Sequence, residues 1–280
     1  MSVDSLGDGR CPNAHPVLSG GVMDVAWGAR TDKGHVRKIN EDAYLTEPPV
    51  FLVADGMGGY QAGETASAAV IDEFRDADSV EVSPEWVTDR LVRANATIRD
   101  GAGGGTTATG AALVLRDGRP YWLVFNIGDS RVYLRSGSQM RQVSVDHSVV
   151  QELVDAGRLA PERARFHPER HIVTKAVGTP AAPRPDFWLV PRDPGDRLLL
   201  CSDGVSTELD DAAIADVLGR PAGAQDVADA LTELALQAGG RDNITCVVVD
   251  ALPVDPDDGQ AGADHDQTRP RPRSELGTAR

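Results

Sequence analysis

Three carboxylates, each placed where an apolar, strand-like run ends or begins, constrain this chain more than any other feature. The first run, Val50-Phe51-Leu52-Val53-Ala54, stops at Asp55 and meets Gly56, Met57, Gly58 and Gly59, residues among which backbone turns sharply. The second, Arg197-Leu198-Leu199-Leu200-Cys201, stops at Ser202-Asp203-Gly204 in the same way. In the third, Asp242-Asn243 precedes the run Ile244-Thr245-Cys246-Val247-Val248-Val249, so this carboxylate sits where a strand starts. A carboxylate at a strand terminus is held rigidly and leaves room for an ion. Any one of these islands alone is an ordinary turn. Three together point to metal ligation at a place where strand ends converge.

The rest of the chain alternates strands with helices. Strand patterning covers 22–27, 43–46, 50–54, 108–115, 121–127 and 131–135, with Asp117-Gly118 as a hairpin signal. Helical spacing appears in Ala62, Ala66, Ala69, Val70 and Phe74, and again in Val87, Leu91, Ala94 and Ile98, each set on one helix face. Ser83-Pro84-Glu85 marks the start of the second helix, with serine as cap and proline in the first turn. A late helix carries Val227, Ala230, Leu231, Leu234, Ala235 and Ala238 and is stopped by Gly239-Gly240. These pieces fit two stacked sheets with helices outside. Residues 1–20 and 253–280 are polar and rich in Gly and Pro, and are expected to be a flexible N-terminal extension and a disordered tail around a domain of residues 21–252.

A fourth motif adds a cation to the carboxylates. Within Arg30-Thr31-Asp32-Lys33-Gly34-His35-Val36-Arg37-Lys38-Ile39-Asn40-Glu41-Asp42-Ala43-Tyr44, Arg37 precedes the acidic pair Glu41-Asp42. With Gly105-Thr106-Thr107 and Asn126-Ile127-Gly128-Asp129-Ser130-Arg131 between them, the six motifs in this order resemble the metal-dependent protein phosphatase family, type 2C, in a bacterial-type member, over residues 22–249. The resemblance implies an α+β fold, a four-layer α/β/β/α sandwich of two antiparallel sheets flanked by helices. It implies that Asp55 bridges two ions, that the Gly56 carbonyl binds one of them, and that Asp203 and Asp242 bind the other. Glu41 and Asp42 then hold the waters on the ions, and Arg37 grips the phosphate. A third ion would lie between Asp129 and Asp203. Two positions depart from the pattern. Met57 stands where eukaryotic members commonly carry a histidine proposed as general acid, which leaves the leaving-group acid unassigned. His171, in His167-Pro168-Glu169-Arg170-His171, stands where bacterial relatives often place a serine that helps hold the third ion; it is either a nitrogen ligand favouring Mn²⁺ or a surface histidine.

The chemistry asks for these residue types in its own right. Hard cations such as Mg²⁺ and Mn²⁺ take oxygen ligands and keep several waters, so a few carboxylates and a carbonyl suffice. A guanidinium offers phosphate a planar, permanently charged fork. The expected activity is hydrolysis of phosphoserine and phosphothreonine by two-metal activation of water, with Mn²⁺ or Mg²⁺ as cofactor, opposing bacterial serine/threonine kinases. The competing readings are a pseudophosphatase that binds phosphoproteins without hydrolysing them and a regulatory phosphatase of a partner-switching pathway. The resemblance also makes the charged segment 146–178 a flap beside the site, whose Arg163, Arg165 and Arg170 could meet an acidic phosphoprotein.

Composition narrows the partners. Lys and Arg total 28 against 43 acidic residues, a formal charge of −15, which argues against unaided binding to nucleic acid or an anionic membrane. Of Cys11, Cys201 and Cys246, the last two lie in strand-like runs and read as buried free thiols. Cys11-Pro12-Asn13-Ala14-His15 has no second half at zinc-finger spacing. No run reaches the roughly 18 apolar residues of a membrane span. A cytoplasmic monomer acting on phosphorylated proteins is the expectation.

Overall fold

The structure is a computed structural model that describes residues 24–59, 61–101 and 103–253. The expected N-terminal extension, Cys11 and the tail after Pro253 lie outside these residues. In chain order the elements are β1 (Val25–Asp32), β2 (Asp42–Glu47), β3 (Val50–Met57), α1 (Gln61–Phe74), α2 (Pro84–Asp100), β4 (Gly105–Thr106), β5 (Ala108–Arg116), β6 (Arg119–Ile127), β7 (Arg131–Ser136) and β8 (Gln139–Gln142). They continue with α3 (Val149–Asp155), α4 (Pro161–Ala164), β9 (Asp186–Pro191), β10 (Arg197–Cys201), α5 (Asp203–Glu208), α6 (Asp211–Leu218), α7 (Ala224–Ala238) and β11 (Ile244–Ala251). The first sheet has the order β1-β11-β10-β7-β8 and the second β2-β3-β5-β6-β9, with β4 added to β3. Every strand pair is antiparallel.

The unbroken apolar runs are strands buried on both faces, and successive side chains go to different layers. In β3, Phe51 and Val53 face the inter-sheet core while Val50, Leu52 and Ala54 join Val70, Phe74 and Leu91 under α1 and α2. In β10 and β11, Leu198, Leu200, Val247 and Val249 point between the sheets. Leu199, Cys201, Ile244, Cys246 and Val248 point outward against α5, α6 and α7. The result is the expected α/β/β/α sandwich. Ser83 caps α2 by accepting from the Trp86 amide, as its sequence position predicts. Cys201 and Cys246 are buried free thiols.

Two local expectations need correcting. β3 does not stop at Asp55: Gly56 and Met57 pair with Thr106 and Gly105, so the carboxylate lies inside a strand. Asp203 is not in a turn after β10 but is the first residue of α5, after Ser202. The two ends of the described domain meet at the corner opposite these carboxylates. There the Leu252 amide donates to the Asp24 carbonyl (3.0 Å), and the Arg192 guanidinium donates to the carbonyls of both residues. No helix among the described residues is long and apolar enough to cross a membrane.

Candidate metal centre

Both sheets deliver carboxylates to one cleft. Asp55 comes from β3 of the second sheet, Asp203 from the helix following β10, and Asp242 from the turn before β11 of the first. Asp129 sits in the three-residue crossover from β6 to β7, which joins one sheet to the other. The cleft encloses about 430 Å³, and every site residue expected from the sequence lines it except Asp42. A larger groove of about 1060 Å³ at the far end of the second sheet is walled by side chains such as Leu115, Phe187 and Leu189, with Asp78, Glu81 and Glu85 also on its lining.

The surroundings fix each donor. The Asp55 amide donates to Thr107 Oγ1 (2.9 Å), and its carbonyl accepts from the Thr107 amide (2.9 Å) and Thr106 Oγ1 (3.0 Å), which gives the Gly105-Thr106-Thr107 motif its task. Gly56 admits no side chain, because a Cβ there would lie 2.3 Å from the Gly63 carbonyl oxygen and 2.5 Å from that of Glu41. Asp42 pairs with Asp55 across β2 and β3 and stands behind the cleft. Its Oδ2 accepts from Ser202 Oγ and Thr245 Oγ1, both at 2.7 Å, while its Oδ1 is buried without a partner. Glu41 is also buried, with Oε1 unpartnered.

Arg37 Nη2 donates to Asp242 Oδ2 at 2.7 Å with half of its side chain exposed. The loop that carries it is held by Asn243, whose amide nitrogen donates to the carbonyls of Lys33 and Ile39 (2.9 Å each) and whose Oδ1 accepts from the Glu41 amide (2.9 Å). Sequence reasoning assigned Asn243 no task. His171 stands at the rim, half exposed, with Nδ1 4.0 Å from Asp203 Oδ2.

The carboxylates sit uneasily together. Burial, reinforced by their neighbours' charges, pushes Asp203 up to about 6, Asp42 to about 7, Asp129 to about 8 and Asp55 well above the carboxylate range. Burial also raises Glu41, against the pull of Arg37. The charge of Asp203 is among those that raise Asp55, and a proton or a cation between the two would relieve that repulsion. Among the described residues no three acidic, histidine or cysteine side chains close on one point as a complete cage. Cations that keep part of their water shell do not need one. An all-oxygen donor set, unrelieved carboxylate repulsion and the orphaned oxygens of Asp42 and Glu41 together fit hydrated divalent cations.

Comparison with known proteins agrees with this chemistry. A family model described as Protein phosphatase 2C matches residues 34–237. The serine/threonine protein phosphatase PstP of Mycobacterium tuberculosis is 41% identical over 244 residues, covering 84% of this chain; the chain spans about half, 46%, of that protein's length. A crystal structure of Mycobacterium tuberculosis PstP/Ppp superposes with a TM-score of 0.74 at 35% identity, over 81% of this chain and 99% of that one. A PstP catalytic domain solved in complex with two manganese ions superposes with a TM-score of 0.69 at 34% identity, over 81% of this chain and 98% of that one. On fold, motif order and sequence, the chain belongs to the protein phosphatase 2C family.

Proposed function

We propose that this chain is a metal-dependent serine/threonine protein phosphatase that hydrolyses phosphoserine and phosphothreonine in proteins and opposes serine/threonine kinases. The observation that carries this reading is the convergence of Asp55, Asp203 and Asp242 with Arg37 on one cleft. The two manganese ions of the PstP catalytic domain support it. In this reading Asp55, the Gly56 carbonyl, Asp203 and Asp242 hold two Mn²⁺ or Mg²⁺ ions. Asp129 and Asp203 hold a third, with His171 at its edge, and residues 21–252 form the catalytic domain with 146–178 as its flap. When bound, such ions activate water and neutralise phosphoryl oxygens.

The chain's own residues do the remainder. Arg37, half exposed and already aimed into the cleft by Asp242, offers its free nitrogens to the phosphoryl group. Asp42 and Glu41 direct unpartnered oxygens from behind and orient water in the cleft. Cys201 is no rival nucleophile, since burial pushes its thiol far above the range in which a thiolate forms. The substrates are phosphorylated proteins, and the proposed place of action is the cytoplasm.

The test is hydrolysis of a phosphothreonine peptide with Mn²⁺, Mg²⁺ or chelator, beside Asp55→Asn and Asp203→Asn. Turnover that needs metal and is lost in both variants is expected. No turnover with any metal would overturn the reading in favour of a phosphoprotein-binding module.

A further inference from the structure

Asp129 has almost no freedom of its own. Only Gly128, Asp129 and Ser130 separate β6 from β7, and the strands lie in different sheets. Gly128 has φ +109°, and a Cβ on it would lie 2.4 Å from Thr107 Cγ2, so the turn is pressed against the motif that fixes Asp55. Thr107 Oγ1 and Ser130 Oγ are 2.8 Å apart and close the other side of the turn.

Both polar groups of Gly128 bond to one residue that the catalytic reading does not use, and the carbonyl accepts from Asn126 Nδ2 (3.0 Å) as well. The Gly128 amide donates to His147 Nδ1 (3.1 Å), and the His147 amide donates back to the Gly128 carbonyl (2.8 Å). Since Nδ1 accepts, the ring is neutral with its proton on Nε2, which lies 3.1 Å from Asp186 Oδ2 in β9. Lys175 Nζ completes this outer side, 3.0 Å from His147 Nε2 and 3.4 Å from Asp186 Oδ1, so Nε2 stands between an ammonium and a carboxylate. The His147 carbonyl accepts from the Thr174 amide (2.8 Å), in the segment that returns from the flap and carries His171 and Val173 into the cleft. Ser148 bridges to Val173 next to it. The side chain is 93% buried. One imidazole and its peptide therefore touch the Asp129 turn, the root of the flap and an outer strand.

We propose that His147 is the positioning residue that sets Asp129 and the flap's return segment in register, and so assembles the outer part of the cation site. The proposal rests on the phosphatase reading. Its specific content is the bond from Gly128 N–H to Nδ1, because rotation of the Gly128 peptide would swing Asp129 away from Asp203. Packing alone would make any replacement of similar size equivalent.

Two replacements separate these cases. In His147→Asn the side-chain oxygen can occupy the Nδ1 position and accept from Gly128, while contact with Asp186 is lost. In His147→Gln the longer amide reaches towards Asp186 and leaves Gly128 without an acceptor. Amide exchange at Gly128 in the cation-free full-length chain is the first readout, and the Mn²⁺ concentration giving half-maximal phosphopeptide turnover is the second. Gln is expected to speed Gly128 exchange and raise the Mn²⁺ requirement by roughly tenfold or more, the range typical of partners behind metal ligands, with Asn close to wild type in both. Equal effects of Asn and Gln, or unchanged Gly128 exchange in Gln, would overturn the proposal. Should either variant fold poorly, Asp186→Asn loosens the ring from its half-exposed side. Faster Gly128 exchange is expected there, and unchanged exchange again overturns the proposal. A wild-type chain without turnover would refute the phosphatase reading alone, because Gly128 exchange still decides the clamp.

Discussion

Arg37 shows how much one side chain can be asked to do. Its contact with Asp242 is short, yet half of the side chain remains in solvent, so a phosphoryl group can reach it without opening the fold. A hydrogen bond to a charged group is worth about 1.5–3 kcal/mol, so Arg37→Ala should lower kcat/KM for a phosphothreonine peptide by roughly 10- to 150-fold. Arg37→Lys should recover only part of this, since a point charge replaces a fork. Steady-state kinetics at saturating Mn²⁺ would check both. The aspartates and this arginine were legible in the sequence because each sits in a short motif beside glycine or at the edge of a strand-like run. Asn243 and His147 were not, because their partners are backbone atoms brought close only by folding: Asn243 holds Lys33 across 210 positions. Nothing local marks such a residue.

At the level of elements, the hydrophobic pattern revealed the strands that are buried on both faces and the helices with one long apolar stripe. β9 escaped because Asp186-Phe187-Trp188-Leu189-Val190-Pro191 follows a proline-rich stretch and pairs only with β6 at a sheet edge. α5 escaped because its six residues give no period to read and start one residue after the cap that follows β10. That is also why Asp203 was placed in a turn rather than on a helix. Among the legible elements, packing should outweigh capping. Leu231, fully buried between α7 and the first sheet, should cost about 2–5 kcal/mol as Leu231→Ala. Ser83→Ala, which removes only the cap of α2, should cost about 0.5–2 kcal/mol. Urea denaturation of the two variants would rank them, and a larger loss for Ser83→Ala would contradict this account of what holds the sandwich.

Over the whole molecule, the crowded carboxylates make stability depend on pH in a direction opposite to that of ordinary paired acids. A carboxyl whose folded pKa is raised binds its proton more tightly folded than unfolded, so stability falls as pH rises from about 4, where the unfolded chain ionises. For the cation-free chain that loss should continue through the folded values of about 6 for Asp203, about 7 for Asp42 and about 8 for Asp129. Divalent cations relieve the repulsion, so the rise in melting temperature on exchanging chelator for Mn²⁺ should be larger at pH 8 than at pH 5.5. Thermal melts at the two values would decide it, and an equal rise would count against metal binding by this cluster. The chain's other end has a mechanical consequence. Asp24 and Leu252 are hydrogen-bonded neighbours, and the eight residues of β11 set that corner roughly 25 Å from Asp242. A force pulling Asp24 and Leu252 apart would therefore load that one hydrogen bond and the Arg192 clamp first, and leave the cleft at the far end of β11 unstrained.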